Sequence, residues 1–90
     1  MSLIAIDPGT TKSGVIEICD GRINGHIFDN SDLEQYLSDA AFVGGHQCVL
    51  EMVACYGMPV GREVFETCVW IGRFMAAFGP SRCDRMFRGD

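Results

Sequence analysis

The fold is decided by residues 3–19, LIAIDPGTTKSGVIEIC. The apolar run of residues 3–6 is bounded by turn residues and predicts a buried central strand, and residues 15–19 predict a second strand that returns antiparallel to it. Asp7 ends the first strand and leads into a loop rich in proline, glycine and hydroxyl side chains. The carboxylate of Asp7 either caps this turn by accepting backbone N–H bonds or belongs to a chemical site.

Length and composition predict one domain spanning residues 1–90, with a modest core. No stretch is long and apolar enough for a membrane span, and the N-terminus lacks a signal-peptide pattern, so we expect a cytoplasmic protein with no membrane partner. The five cysteines form no CxxC pair and are interpreted as reduced thiols. The net charge of −5 argues against a self-sufficient nucleic-acid binder, although three arginines lie in residues 81–90.

The pattern continues with a third strand over residues 23–28, because Asp20-Gly21 is a two-residue hairpin signal. Ser31 and Glu34 have the spacing of a capping box and predict the start of a short helix that ends at Gly44-Gly45. The first three strands are therefore expected to form an antiparallel meander.

A second carboxylate, Glu51, lies near the end of an apolar run over residues 46–53 that predicts a fourth strand. A strand, a helix and a further strand imply a right-handed crossover, which places the fourth strand parallel to the first. Asp7 and Glu51 then emerge at the same carboxyl edge of the sheet, where ligand sites of open α/β sheets lie. Taken alone, Glu51 is explained by a side chain that curls to solvent. Taken with Asp7, it indicates a site for Mg²⁺ or Mn²⁺, since two close carboxylates repel unless a cation lies between them.

Residues 60–78 predict one long helix that stops at Gly79-Pro80, and a fifth strand is expected around residues 85–88. The apolar arc of this helix is wider than one packed face requires. Either another subunit or further C-terminal structure is expected to cover the second surface, with Trp70 and Phe74 at a partner interface. The face expected to pack on the sheet contains Val60, Val64, Cys68, Ile71, Met75 and Phe78.

Three segments taken in order, IAIDPGTTKSGV, VLEMVACYGMPVG and REVFETCVWIGRF, resemble the phage and bacterial RuvC-like Holliday junction resolvases, the crossover junction endodeoxyribonucleases of the RNase H-like superfamily. The resemblance covers nearly the whole chain. It implies an α/β fold with an RNase H-like mixed sheet: the meander, a helix, a parallel strand, a long helix and a fifth strand. It also implies Mg²⁺-dependent hydrolysis of phosphodiester bonds in branched DNA, with Asp7 and Glu51 as catalytic metal ligands.

The resemblance extends to DNA contacts, whereas the expected assembly follows from the wide apolar arc of the helix over residues 60–78. Thr10, Thr11 and Lys12 are expected to contact the DNA backbone, although Lys12 is equally explained as a solvated turn lysine. Tyr56 and Met58 are candidates for stacking on bases or wedging between them at a branch point, where local loop packing is the alternative. A homodimer through helix 60–78 is expected.

The chain departs from the family in lacking a counterpart of the C-terminal helix that carries further acidic ligands; Asp84 and Asp90 remain beside the fifth strand. This departure keeps two other functions open. One is a non-catalytic, dimeric DNA-associated remnant or interaction module. The other is an actin-like ATPase or sugar-kinase fragment, because DPGTTKSG also resembles a phosphate loop, although residues 1–90 do not supply the second loop that such proteins need.

Overall fold

A computed structural model describes residues 2–52 and 61–87. They form a five-stranded mixed sheet with strand order β3-β2-β1-β4-β5. β1 pairs antiparallel with β2, and β2 with β3, whereas β4 lies parallel to both β1 and β5. The elements are β1 Ser2–Asp7, β2 Lys12–Cys19, β3 Arg22–Asp29, α1 Asn30–Val43, β4 His46–Met52, α2 Arg62–Phe78, a 3₁₀ turn Pro80–Arg82 and β5 Cys83–Phe87. The predicted α/β meander and parallel crossover are confirmed.

The turns that shape the sheet have the expected backbone geometry. Asp20 and Gly21 have φ values of 52° and 78°, which is the left-handed pair required by a tight hairpin of type I′. Gly44, at φ 83°, ends α1 and donates its backbone N–H to the carbonyl of Ala40. β5 begins at Cys83, two residues before the predicted start.

The predicted capping box at the start of α1 is wrong. The helix begins at Asn30, with Asp29 as its N-cap, so Ser31 already lies within the first turn. Glu34 instead pairs with Arg73 of α2 through two hydrogen bonds of 2.8 and 2.9 Å. The helix starts two residues earlier than the capping box predicts, because the backbone N–H of Asn30 donates to the carbonyl of Thr11, 2.8 Å away, in the loop after β1.

Both helices pack on one face of the sheet. Ile4, Ile6, Val15, Cys48 and Leu50 project toward them and are at most 3% exposed. Residues that alternate with these along the strands project to the opposite side, which we call the open face; it carries Leu3, Ala5, Asp7, Gly14, Ile16, Val49, Glu51, Ile23, Ile27, Asp84 and Met86. Ile23, Ile27 and Met86 on this face are 60% exposed or more. The core therefore lies on the helical side.

The face of α2 that packs into the core agrees with the prediction at Ile71, Phe78 and the partly buried Met75, and differs from it at other positions. Its buried residues are Thr67, Ile71, Phe74 and Phe78. The hydroxyl of Thr67 donates to the carbonyl of Glu63 at 2.8 Å, which allows a polar side chain to be buried.

Two of the expected positions on α2 are wrong. Cys68 is exposed, because the burial of Thr67 and Phe74 turns the packed face away from it. Phe74 cannot lie at a partner surface because its side chain is 0% exposed within the core. Trp70 is half-buried against the core and stays a candidate interface residue. Val60 lies outside the described residues.

Candidate metal centre at the carboxyl edge of the sheet

Asp7 and Glu51 lie side by side in the fold. The parallel register of β1 and β4 ends with Ile6 opposite Leu50, so Asp7 and Glu51 occupy the next position on each strand. Ile6 and Leu50 point into the core, and alternation therefore directs both carboxylates to the open face. Neighbouring strands lie about 4.8 Å apart. The two acidic residues predicted from sequence are thus neighbours on one face.

On the open face, the register neighbours of the two carboxylates are Gly14 for Asp7 and Met86 for Glu51. Gly14 is the cross-strand partner of Asp7, and a β-carbon placed on it would lie 3.8 Å from the β-carbon of Asp7. A larger residue at Gly14 would therefore cover the carboxylate from that side. On the other side, Met86 is the register partner of Glu51 and is 60% exposed. Asp7 is exposed and Glu51 is half-buried.

The carboxylate oxygens of Asp7 and Glu51 are suitable ligands for a hard divalent cation, but they supply only part of its coordination shell. Mg²⁺ binds through one or two protein carboxylates, with water and substrate phosphate oxygens as the remaining ligands. Asp84 also lies on the open face, but its register partner is Val49, two residues before Glu51 on β4. Within residues 2–52 and 61–87, no group of three His, Cys, Asp or Glu side chains is close enough together to hold a metal ion. Asp7 and Glu51 are therefore the two described residues that would share a metal.

The loop predicted to contact DNA follows Asp7 directly. Thr10 is half-buried, whereas Thr11 and Lys12 are exposed. Lys12 begins β2 on the same face as Gly14, and thus on the face of Asp7, opposite Asp29 in the register. The structure brings Lys12 to the same edge as Asp7 and Glu51. Tyr56 and Met58 lie outside the described residues, as does Asp90.

Two residues next to this site have no obvious signal in the sequence. Ser13 and Asn30 are 2% and 1% exposed, and their side chains hydrogen-bond to each other at 2.6 Å. A serine at a strand start and an asparagine at a helix start are ordinary in isolation. Their contact depends on the register of β2 and β3, which places residue 13 opposite Phe28.

Neither described helix is long and apolar enough to cross a lipid bilayer. The outer surface of α2 includes the apolar residues Phe65 and Val69, which are 64% and 48% exposed. These residues lie one turn apart and extend the apolar arc expected from the sequence.

Comparison with known proteins relates the fold to that of RuvC. The sequence matches no protein-family model and no curated protein. A structure of T. thermophilus RuvC in complex with a Holliday junction substrate superposes with a TM-score of 0.70 over 98% of this chain, at 10% sequence identity. A second Thermus thermophilus RuvC structure gives a TM-score of 0.62 over 97% of the chain, at 13% identity. The chain spans 65% and 63% of the lengths of these two proteins. The protein therefore has a RuvC-like fold.

Proposed function

We propose that this chain is a RuvC-like endonuclease domain that acts on branched DNA, the Holliday junction included, by Mg²⁺- or Mn²⁺-dependent phosphodiester hydrolysis. The observation that carries the proposal is the placement of Asp7 and Glu51 on adjacent parallel strands, on one face and at the carboxyl edge of the sheet. The complex of the similar T. thermophilus RuvC with a Holliday junction substrate supports DNA as the ligand.

In this mechanism Asp7 and Glu51 would hold the metal through carboxylate oxygens, on the open face from which the DNA phosphate would approach. When bound, Mg²⁺ or Mn²⁺ would supply Lewis-acid chemistry, which offsets charge on the phosphate and activates water toward phosphorus. Thr10, Thr11 and Lys12 position the DNA backbone through hydroxyl, N–H and ammonium groups. The exposed Lys12 supplies positive charge beside two negative side chains in a chain whose net charge is −5.

Metal binding is tested by thermal unfolding with and without Mg²⁺, comparing wild type with Asp7→Asn and with Asp39→Asn. Asp39 is an exposed aspartate on α1, so its variant controls for the loss of one negative charge. A ligand at ten times its Kd stabilises the folded state by roughly 1.4 kcal/mol, which raises the Tm of a small domain by roughly 6–11 °C. We expect this rise in wild type and Asp39→Asn but not in Asp7→Asn. An equal Mg²⁺ response in all three proteins would exclude the proposed site.

DNA specificity is tested with a four-way junction and a linear duplex of the same base composition. We expect tighter junction binding in Mg²⁺ and a loss of that preference in Asp7→Asn. Because the described residues supply two carboxylates, we expect weak metal binding and little cleavage by the 90-residue chain. Fast junction cleavage abolished by Asp7→Asn would contradict that last expectation and support the nuclease proposal.

A second function, a non-catalytic DNA-associated dimer or interaction module, is favoured by two observations on the described residues. They contain no cluster of three metal-binding side chains, and the outer surface of α2 exposes Phe65 and Val69. We propose that a homodimer, in either function, forms through α2 with Trp70 beside this surface. Sedimentation of wild type and Trp70→Glu separates the cases, since an unchanged mass for the two proteins argues against the interface.

A further inference from the structure

Two polar side chains are buried beneath the loop that follows Asp7. Ser13 and Asn30 are 2% and 1% exposed, among the most deeply buried side chains of the described chain. Burying hydroxyl and amide groups costs free energy unless they form hydrogen bonds. Their partners therefore indicate what the two residues do.

The hydrogen bonds form a closed ring on Gly9. The backbone N–H of Gly9 donates to Ser13 Oγ at 3.1 Å, Ser13 Oγ donates to Asn30 Oδ1 at 2.6 Å, and Asn30 Nδ2 donates to the carbonyl of Gly9 at 2.9 Å. The backbone N–H of Asn30 also donates to the carbonyl of Thr11 at 2.8 Å. Three hydrogen bonds thus hold the main chain of the loop at Gly9 and Thr11, and two of them come from Asn30, in another part of the sequence.

The loop is also tightly folded. A β-carbon placed on Gly9 would lie 2.2 Å from the carbonyl oxygen of Lys12, a distance that no side chain tolerates against backbone. The chain must pass this close to itself for the hydrogen-bond ring to close. The loop between Asp7 and Lys12 consequently has one strongly preferred conformation.

We infer that Ser13 and Asn30 are positioning residues, which hold the loop from Gly9 to Lys12 ready to receive a DNA phosphate beside Asp7. This inference rests on the proposed function. Both residues are too deeply buried to touch DNA, so they act through the loop backbone. A loop fixed before binding loses less conformational entropy when the phosphate arrives, and it holds the ammonium of Lys12 in position for its contact with the DNA backbone.

The inference is tested with Asn30→Ala and a matched control, Asn24→Ala. Asn24 is an exposed asparagine on β3. The probes are amide hydrogen exchange of Gly9 without DNA, and the affinity of a four-way DNA junction in Mg²⁺ across a range of salt concentrations. For Asn30→Ala we expect about tenfold faster exchange at Gly9 and about tenfold weaker junction binding, the loss of roughly one net hydrogen bond. The control should behave as wild type.

The salt dependence separates positioning from a general loss of stability. Each lost phosphate contact reduces the slope of log affinity against log salt by about 0.9. A variant that is only less stable, measured well below its Tm, keeps the wild-type slope. We expect Asn30→Ala to have a shallower slope by about one contact. Asn30→Asp keeps an acceptor for Ser13 but sets a buried carboxylate oxygen against the carbonyl of Gly9, so we expect a defect at least as large as that of Asn30→Ala.

If Asn30→Ala does not fold, Gly9→Ala is measured instead, because its β-carbon displaces the loop while Ser13 and Asn30 are unchanged. Gly25→Ala is its control, since a β-carbon at Gly25 meets no atom within 4 Å. Wild-type affinity and slope in folded Gly9→Ala and Asn30→Ala would overturn the inference, as would unchanged exchange at Gly9 in Asn30→Ala. Failure of wild type itself to prefer the junction would instead overturn the proposed function, and the DNA-positioning role with it.

Discussion

Replacing Phe74 by alanine tests whether α2 is seated as the structure shows. Phe74 is 0% exposed, and its ring centroid lies 5.7 Å from that of Trp70. Removing a fully buried phenylalanine side chain costs about 3–5 kcal/mol through lost burial and the cavity that remains. A chain of 90 residues has a total free energy of unfolding of about 5–13 kcal/mol. Phe74→Ala should therefore remove roughly a quarter or more of the stability.

The matched control is Phe65→Ala, on the same helix with 64% of its side chain exposed. Surface substitutions of this kind change stability by about 0.5 kcal/mol or less. Unfolding in urea is followed by the fluorescence of Trp70, the single tryptophan of the chain, and by circular dichroism. The measurements are made at low protein concentration, because a dimer through α2 would add a concentration-dependent contribution from Phe65.

The two variants should differ by at least about 2 kcal/mol in the free energy of unfolding. Equal losses, or a larger loss for Phe65→Ala in the monomer, would refute the seating of α2 on its Thr67, Ile71, Phe74 and Phe78 face. The partner interface would then have to be reassigned, because the exclusion of Phe74 from it rests on this burial. A loss for Phe65→Ala that grows with protein concentration would support dimerisation through α2.

Two further predictions concern the helical side of the sheet. Burial and a hydrogen bond with Glu17 raise the pKa of Tyr36 to about 12, from an ordinary value of 10.0. Between these two pH values the folded state keeps a proton that the unfolded state loses. The free energy of unfolding should therefore fall as the pH rises from about 10 toward 12. Urea midpoints of wild type and Tyr36→Phe compared across this range should converge as the pH rises, and parallel curves would contradict the argument. Arg73 donates two hydrogen bonds to Glu34, lies 4.2 Å from the Trp70 ring centroid, and holds the pKa of Glu34 below its ordinary value. Lysine cannot form both hydrogen bonds, so in Arg73→Lys the pKa of Glu34, followed by carboxyl NMR, should rise. The stabilisation that Glu34 contributes above its ordinary pKa should then decrease. An unchanged pKa would show that the positive charge alone sets it.

Much of the fold could be predicted from local signals. Asp20-Gly21 requires positive φ at both positions, and the crossover rule allows one parallel arrangement for the strand that carries Glu51. The crossover rule brings Asp7 and Glu51 together without any knowledge of packing. The capping box failed because Ser31 and Glu34 have the right spacing, yet a long-range contact from Thr11 sets the helix start.

The packed face of α2 could be predicted only in part, at Ile71 and Phe78, because almost every residue on one half of the helix is apolar. Thr67 is polar but buried, since it bonds to its own helix, and Cys68 is apolar but exposed. Hydrophobic periodicity cannot distinguish the two sides of so wide an arc. The choice was made by the space between α1 and the sheet, which Phe74 and Phe78 fill.

The sequence by itself determined the order of the elements, the hairpin and the pair of carboxylates at one sheet edge, because turn chemistry and crossover handedness act over short stretches of chain. Only the tertiary structure decided which face of α2 is buried. It alone also brought Ser13 and Asn30 together, where they form hydrogen bonds with the loop after Asp7. Those outcomes depend on contacts between residues 17 or more positions apart, such as Ser13 and Asn30. A buried polar group is stabilised by any suitable hydrogen-bond partner, and the local sequence does not indicate which distant residue that partner is.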